Sequence, residues 1–197
     1  MAEYRQMVET HLKDIDIGYL ALNAGIGNGG LFVKETDQMV EDVMVLNGLH
    51  VVYLCKALLT KMLARPVRSA IIITSSVMSS MGPPFCSLYA ATKAAERLFG
   101  ESLHYELRHK IDVLTFMPAY TNTKILDDAK GNRRTSPFMI EPEVAVKAMH
   151  KDLGRCSESC GSIKHSFLYF CINYLIPRDF GLKQMSKDIG KREMKVY

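Results

Sequence analysis

Tyr89 and Lys93 stand four residues apart in the stretch 71–100, IIITSSVMSSMGPPFCSLYAATKAAERLFG. On a helix, positions i and i+4 share a face, so a phenol and an ammonium are held side by side. An ammonium near a phenol favours phenolate and lowers the Tyr pKa from about 10. A general acid works best near the operating pH, so the pair suits proton transfer. Ser76 adds a hydroxyl that can reach the same space.

Three elements must position this set. Ile71-Ile72-Ile73-Thr74 is a short apolar, β-branched run with the composition of a buried strand. Ser75 and Ser76 end it, and Met81-Gly82-Pro83-Pro84 breaks regular structure. A helical pattern then runs from Leu88 to about Arg108.

The remainder of the chain alternates in the same way. Residues 2–13 carry Tyr4, Met7, Val8 and Leu12 at helical spacing. Residues 15–22 read as a strand ending in Asn23-Ala24-Gly25-Ile26-Gly27. Gly25, Gly27 and Gly30 spell GxGxxG, but a phosphate-binding turn opens directly into a helix, and residues 31–36 read as loop. Residues 36–63 form a long helical pattern that Thr36 or Asp37 can cap, with Met39, Val43, Leu46, Leu49, Val52 and Leu59 on one face. Asn47 sits inside it, where its amide competes for backbone groups. Residues 111–118 read as a strand ending at Pro118, residues 124–137 as a polar loop, and Pro142 opens a helix over 144–153. Strands alternating with helices predict an α/β fold, a parallel sheet with helices on both faces.

The bulk properties exclude several classes. With 197 residues the chain suits one domain, residues 1–197. A net charge of +4 without a basic stripe interleaved with aromatics argues against nucleic acid. Five cysteines without a CxxC pair read as reduced thiols of an intracellular, reducing compartment. Cys156 and Cys160 with His150 or His165 have an atypical spacing for zinc, so no metal site is expected. No signal peptide is apparent, and no apolar run reaches transmembrane length. Residues 161–197 form an extension, apolar and aromatic over 166–177 and then basic at Lys183, Lys187, Lys191, Arg192 and Lys195. That pattern fits a core or pocket wall, or a contact with an anionic membrane surface.

The stretch around Tyr89-Ala90-Ala91-Thr92-Lys93, with Ser76 thirteen residues ahead of the Tyr, resembles the short-chain dehydrogenase/reductase family. Asn23-Ala24-Gly25 resembles that family's NNAG element, with Leu22 in place of the first Asn. Pro118 and Thr123 match its Pro-Gly strand end and the Thr that contacts the nicotinamide, with Ala119 in place of Gly. Across residues 20–174 the text is most similar to the hydroxysteroid dehydrogenase and very-long-chain 3-oxoacyl-CoA reductase branch.

The resemblance implies an Asn47-Ser76-Tyr89-Lys93 tetrad, with Asn47 bending its helix and anchoring a proton relay. It implies a cofactor site at Asn23, Ala24, Gly25, Tyr89, Lys93, Pro118 and Thr123, and a substrate lid over 124–137. NADPH is the cofactor it implies, with NADH left open. It further implies a small lipophilic substrate, a homodimer through helices 37–63 and 88–108, and the endoplasmic reticulum membrane surface. The family's first βαβαβ half, which carries the nucleotide turn, has no counterpart, so a partial Rossmann-like doubly wound sheet is expected. Such a sheet leaves strand 15–22 as an exposed edge. A truncated reading frame, a sheet completed by another polypeptide and a non-catalytic interaction protein are the explanations left standing.

Overall fold

The computed structural model describes residues 2–27, 29–126 and 135–193, with side chains as far as 187. Four parallel strands, β1 Tyr19–Leu22, β2 Ser69–Thr74, β3 Ile111–Phe116 and β4 Glu158–Ser159, form one sheet in the order β1-β2-β3-β4. The helices are α1 Ala2–His11, α2 Asp37–Val43, α3 His50–Leu63, α4 Ser87–Leu107, α5 Pro142–Asp152, α6 Ile163–Phe170 and α7 Arg178–Glu193.

The uninterrupted run in β2 is explained by burial on both faces. Successive strand residues point to opposite sides. Ile71 and Ile73 therefore join Val113 and Ile111 on one face, under Val8 of α1, Cys55 and Leu58 of α3, and Leu103 and Leu107 of α4. Ile72 joins Leu114 and Phe116 on the other, against Ala145 and Met149 of α5. This is the α/β Rossmann-like arrangement that the alternation predicts. Among the described residues β1 pairs only with β2, so it is a sheet edge.

Two strand boundaries differ from expectation. β1 starts at Tyr19, not at residue 15. The ladder begins where Gly18 O accepts from Ala70 N, while Asp16 is held outside the sheet by Arg65 at 2.6 Å. β3 stops at Phe116, before Pro118, which has no N–H for a ladder. The polar loop expected over 124–137 begins as a 3₁₀ turn, Lys124–Leu126, and its residues 127–134 lie outside the described residues.

The long helix 37–63 is not uniform. Thr36 caps it, its Oγ1 accepting from Met39 N at 3.2 Å, and α2 and α3 are joined by a π-helical turn, Met44–Leu49. Over 27 residues this segment is long and apolar enough to cross a membrane by length and composition, contrary to the expectation that no such run exists. It packs instead across the sheet, burying Val43, Asn47, Val51, Cys55, Leu58 and Met62.

α4 lies close to β3 at Gly100. A Cβ there would stand 2.2 Å from Thr115 Oγ1 and 3.2 Å from Ile73 Cδ1. Thr115 is fully buried and has no room to retreat. Gly100→Ala is therefore expected to lose roughly 1–3 kcal/mol by overpacking, net of the helix-propensity gain of about 1 kcal/mol. Urea melts should show this loss, and adding Thr115→Ala should recover much of it.

Candidate active site

The site lies beyond the carboxyl ends of β1, β2 and β3, where open parallel sheets hold their ligands. β2 ends at Thr74, and Ser75 turns away with its Oγ donating to Lys93 O at 2.6 Å. Ser76 caps the short turn Val77–Ser80, its Oγ accepting from Met78 N at 3.2 Å. Val77 N donates to Pro118 O at 3.2 Å, which brings the end of β3 beside Ser76. α4 then carries Tyr89 and Lys93 over the same end of the sheet.

The Ser76 hydroxyl acts on the Tyr89 phenol, where it favours the phenolate. Lys93 Nζ stands 5.8 Å from the centre of the Tyr89 ring. Asn47 is fully buried in the π-helical turn. Its Oδ1 accepts from Ile26 N and its Nδ2 donates to Ile26 O, both at 2.8 Å, with a longer contact to Thr92 Oγ1 at 3.4 Å. The wider turn aims this amide at the loop after β1. Both arms of the amide are committed to that loop, so the Asn47 side chain works as a clamp between α3, the β1 loop and α4. Gly25 closes the ring: a Cβ there would stand 3.2 Å from Asn47 Oδ1 and 3.4 Å from Lys93 Nζ. The structure thus brings Asn47, Ser76, Tyr89, Lys93 and Gly25 into one neighbourhood. Asn23 and Ala24 are exposed at the end of β1. Thr123 lies in the segment that follows Pro118, its Oγ1 donating to Thr121 O at 3.4 Å.

The electrostatics differ from expectation at Tyr89. Burial pushes its phenol up to about 12, and the neighbouring Ser76 hydroxyl offsets this only in part. The charges of Glu96 and Cys86 push in the same direction as burial. The lowering expected from Lys93 does not appear because the ammonium faces elsewhere. Lys93 Nζ donates to Thr74 O at 2.8 Å and binds both oxygens of Glu96, Oε1 at 3.1 Å and Oε2 at 2.9 Å. An ammonium neutralised at contact distance by a carboxylate has little field left for a phenol farther off.

Glu96 carries no motif in the sequence, yet it belongs to the site. It is buried beside Lys93, and burial raises its carboxyl to about 7 even though the ammonium favours the charged form. A carboxyl whose folded pKa lies above its unfolded value, here 4.5, stabilises the fold below that value and loses the contribution as pH rises through about 7. Glu96→Gln keeps the group neutral. The variant is expected to gain about 3 kcal/mol on the wild type between pH 4.5 and pH 8, read from urea melts at both values.

His165 is a second positioning group that sequence reasoning misses. Fully buried on α6, it accepts from Ala119 N at Nδ1, at 3.2 Å, so Nε2 carries the proton and faces the carbonyls of Tyr120 and Phe138, both at 3.1 Å. It thereby ties the segment after Pro118 to residue 138. Both ring nitrogens are used by backbone groups, and among the described residues no group of three His, Cys, Asp or Glu is placed to hold a metal.

Comparison with known proteins agrees with this fold. The family model described as short chain dehydrogenase matches residues 1–134. A very-long-chain 3-oxoacyl-CoA reductase-like protein of Arabidopsis thaliana is 30% identical over 175 residues, 86% of this chain and 55% of that protein. The very-long-chain 3-oxoacyl-CoA reductase of Mus musculus is 28% identical over 198 residues, 95% of this chain and 61% of that one. A 7β-hydroxysteroid dehydrogenase structure shares the fold with a TM-score of 0.79 at 18% identity, covering 92% of this chain and 71% of that one. A short-chain dehydrogenase from Sphingobium yanoikuyae, solved with NADPH, matches with a TM-score of 0.66 and 27% identity, over 77% of this chain and 58% of that one. The chain spans little more than half the length of these reductase relatives. By its matched residues, its parallel sheet and its relatives, the chain belongs to the short-chain dehydrogenase family.

Proposed function

We propose that this chain carries the chemical half of an NADP(H)-dependent oxidoreductase that reduces a ketone, or oxidises a secondary alcohol, on a steroid or fatty-acyl substrate. The observation that carries the reading is the placement of Ser76 at the carboxyl end of β2 beside Tyr89 of α4, with Lys93 one helical turn beyond at 5.8 Å from the Tyr89 ring centre. Tyr89 gives a proton to the carbonyl oxygen, or takes one from the alcohol in reverse. Ser76 donates a hydrogen bond to the same oxygen as charge develops on it. Asn47 holds the β1 loop in place and anchors the relay that the family resemblance implies. A nicotinamide nucleotide supplies the hydride when bound. The donor set fits such a group, since the hydroxyls of Tyr89 and Thr123 and the Lys93 ammonium suit a ribose and a carboxamide, and Asn23, Ala24, Gly25, Tyr89, Lys93, Pro118 and Thr123 are the residues that would hold it.

NADPH in place of NADH rests on the reductase branch and on the NADPH-bound relative. The assay is direct. The purified chain is titrated with NADPH while nicotinamide fluorescence is followed, and is then given a long-chain 3-oxoacyl-CoA or a ketosteroid. Saturable binding and oxidation of the nucleotide support the reading. A folded chain that binds neither nucleotide supports the other reading, a non-catalytic family member that serves as an interaction partner through helices 37–63 and 88–108, where Met39, Met44, Val45, Leu98 and Tyr105 are exposed.

Two assembly readings follow from the same branch. The exposed Met39, Met44, Val45, Leu49 and Val52 on the 37–63 helix, with Leu98 and Tyr105 on α4, favour a homodimer through these helices. The exposed Phe167, Phe170, Tyr174 and Phe180 beside Arg178, Lys183 and Lys187 favour contact with an anionic membrane surface, as at the endoplasmic reticulum. Co-sedimentation with phosphatidylserine vesicles should fall at high salt and in Phe167→Ser/Phe180→Ser if that contact forms.

A further inference from the structure

Glu96, buried against Lys93, lies outside the chemistry assigned above. Proton transfer by the tetrad uses the ammonium and has no use for a carboxylate underneath it. Both side chains are almost wholly shielded from solvent, at 4% and 2% exposure. Glu96 Oε2 has the ammonium at 2.9 Å and no hydrogen-bond partner besides, so Lys93 is its sole compensation among the described residues. The other side of Nζ is taken by Thr74 O at 2.8 Å.

We propose that Glu96 is a positioning residue: it draws the Lys93 ammonium down against the carbonyl at the end of β2 and so holds that charge off the Tyr89 phenol.

The geometry gives Lys93 two stations. In the one seen, its charge is spent on Glu96 and Thr74, and Nζ remains 5.8 Å from the phenol ring centre. In the other, with Glu96 protonated or replaced, the four-carbon stem is free to carry the ammonium toward the phenol. The titratable groups facing this pair are few. His50, from α3, feels the Lys93 charge, and Tyr89 feels that of Glu96 and of Cys86. None of these supplies a second anion for Lys93 at contact distance. Burial and the Glu96 charge together keep the phenol high, which is the outcome expected when the nearest cation is neutralised.

The role of Glu96 bears on the reductase reading, because it sets the proton affinity of the assigned acid, but its test needs no nucleotide. The chain is labelled with tyrosine enriched in ¹³C at Cζ, and the Tyr89 resonance is assigned by its loss in Tyr89→Phe. It is then titrated from pH 5 to pH 11. In the wild type the phenol should stay protonated to the end of the range. In Glu96→Gln and Glu96→Leu its midpoint should fall by about one unit or more. Glu96→Asp, which restores the negative charge, should return it toward the wild-type value. Folded Gln and Leu variants with an unmoved resonance would overturn the proposal. Should neither variant fold, the wild type decides. Protonating Glu96 below pH 7 must shift the Tyr89 resonance, and a resonance flat from pH 5 to pH 9 counts against the role. Nucleotide binding is measured separately, so the reductase reading can fail while this proposal stands, and the reverse.

Discussion

Tyr89→Phe is expected to lose roughly 10²- to 10⁴-fold in turnover of a ketone substrate, the range that a positioned proton donor contributes. The fold should be unaffected, because the ring keeps its packing and only the hydroxyl is removed. Nucleotide binding should change far less than turnover. The direction of reaction matters to the pH profile. With the phenol pushed up to about 12, Tyr89 is protonated throughout the physiological range. Carbonyl reduction, which needs the acid form, should then show no loss from Tyr89 ionisation below pH 10. Alcohol oxidation, which needs the phenolate, should rise about tenfold per pH unit across the same range. Steady-state rates in both directions, for the wild type and the variant, check both statements. A Phe variant with undiminished turnover would remove Tyr89 from the chemistry altogether.

The strongly patterned parts of this molecule are legible in the amino-acid sequence. The β2 run, the Ser pair, the Pro-containing break and the α4 helix each have a local cause in side-chain shape or turn chemistry, and they appear where those causes put them. Asn47 stands out as a misfit inside a helix, and the misfit is a π-helical turn whose extra residue aims the amide at Ile26. The direction of the Lys93 ammonium is not legible in the same way. The i,i+4 rule fixes a shared face, but a four-carbon stem has several ways to leave it, and Glu96 at i+3 wins the ammonium at 2.9 Å. A buried carboxylate beside a lysine looks, as text, like an ordinary exposed helix pair. The start of β1 escapes the local pattern for a related reason: Ile15 and Ile17 alternate correctly, but pairing begins only where β2 offers a partner, at Gly18 and Tyr19. Tertiary pairing, which no local pattern contains, decides these points.

His165→Leu should cost roughly 3–5 kcal/mol of stability, more than the loss of a single packing contact. From sequence, this histidine is one more polar residue in an apolar stretch, to be weighed as a zinc ligand with Cys156 and Cys160. In the structure it has no exposed surface and serves three backbone groups 27 to 46 residues away. Leucine fills a similar volume but leaves Ala119 N without an acceptor and Phe138 O without its His165 donor, while Tyr120 O keeps only the bond from Ile140 N at 3.1 Å. Each unpaired buried group costs about 1–3 kcal/mol. The damage should concentrate on the segment 119–123, which carries Thr123. Amide exchange there should quicken before the sheet itself loosens, and any nucleotide affinity should drop with it. His165→Gln, which can present both an acceptor and a donor, should recover part of the stability. The wild type should show the same dependence through pH. Burial holds the His165 pKa below 6.5, so the neutral ring stabilises the fold above that value and the contribution is lost as pH falls through the folded pKa. This slope is opposite in sign to that of Glu96. The two can be separated by melting His165→Leu and Glu96→Gln at pH 5 and pH 8: acid should narrow the gap between the wild type and the first variant, and alkali should widen the lead of the second.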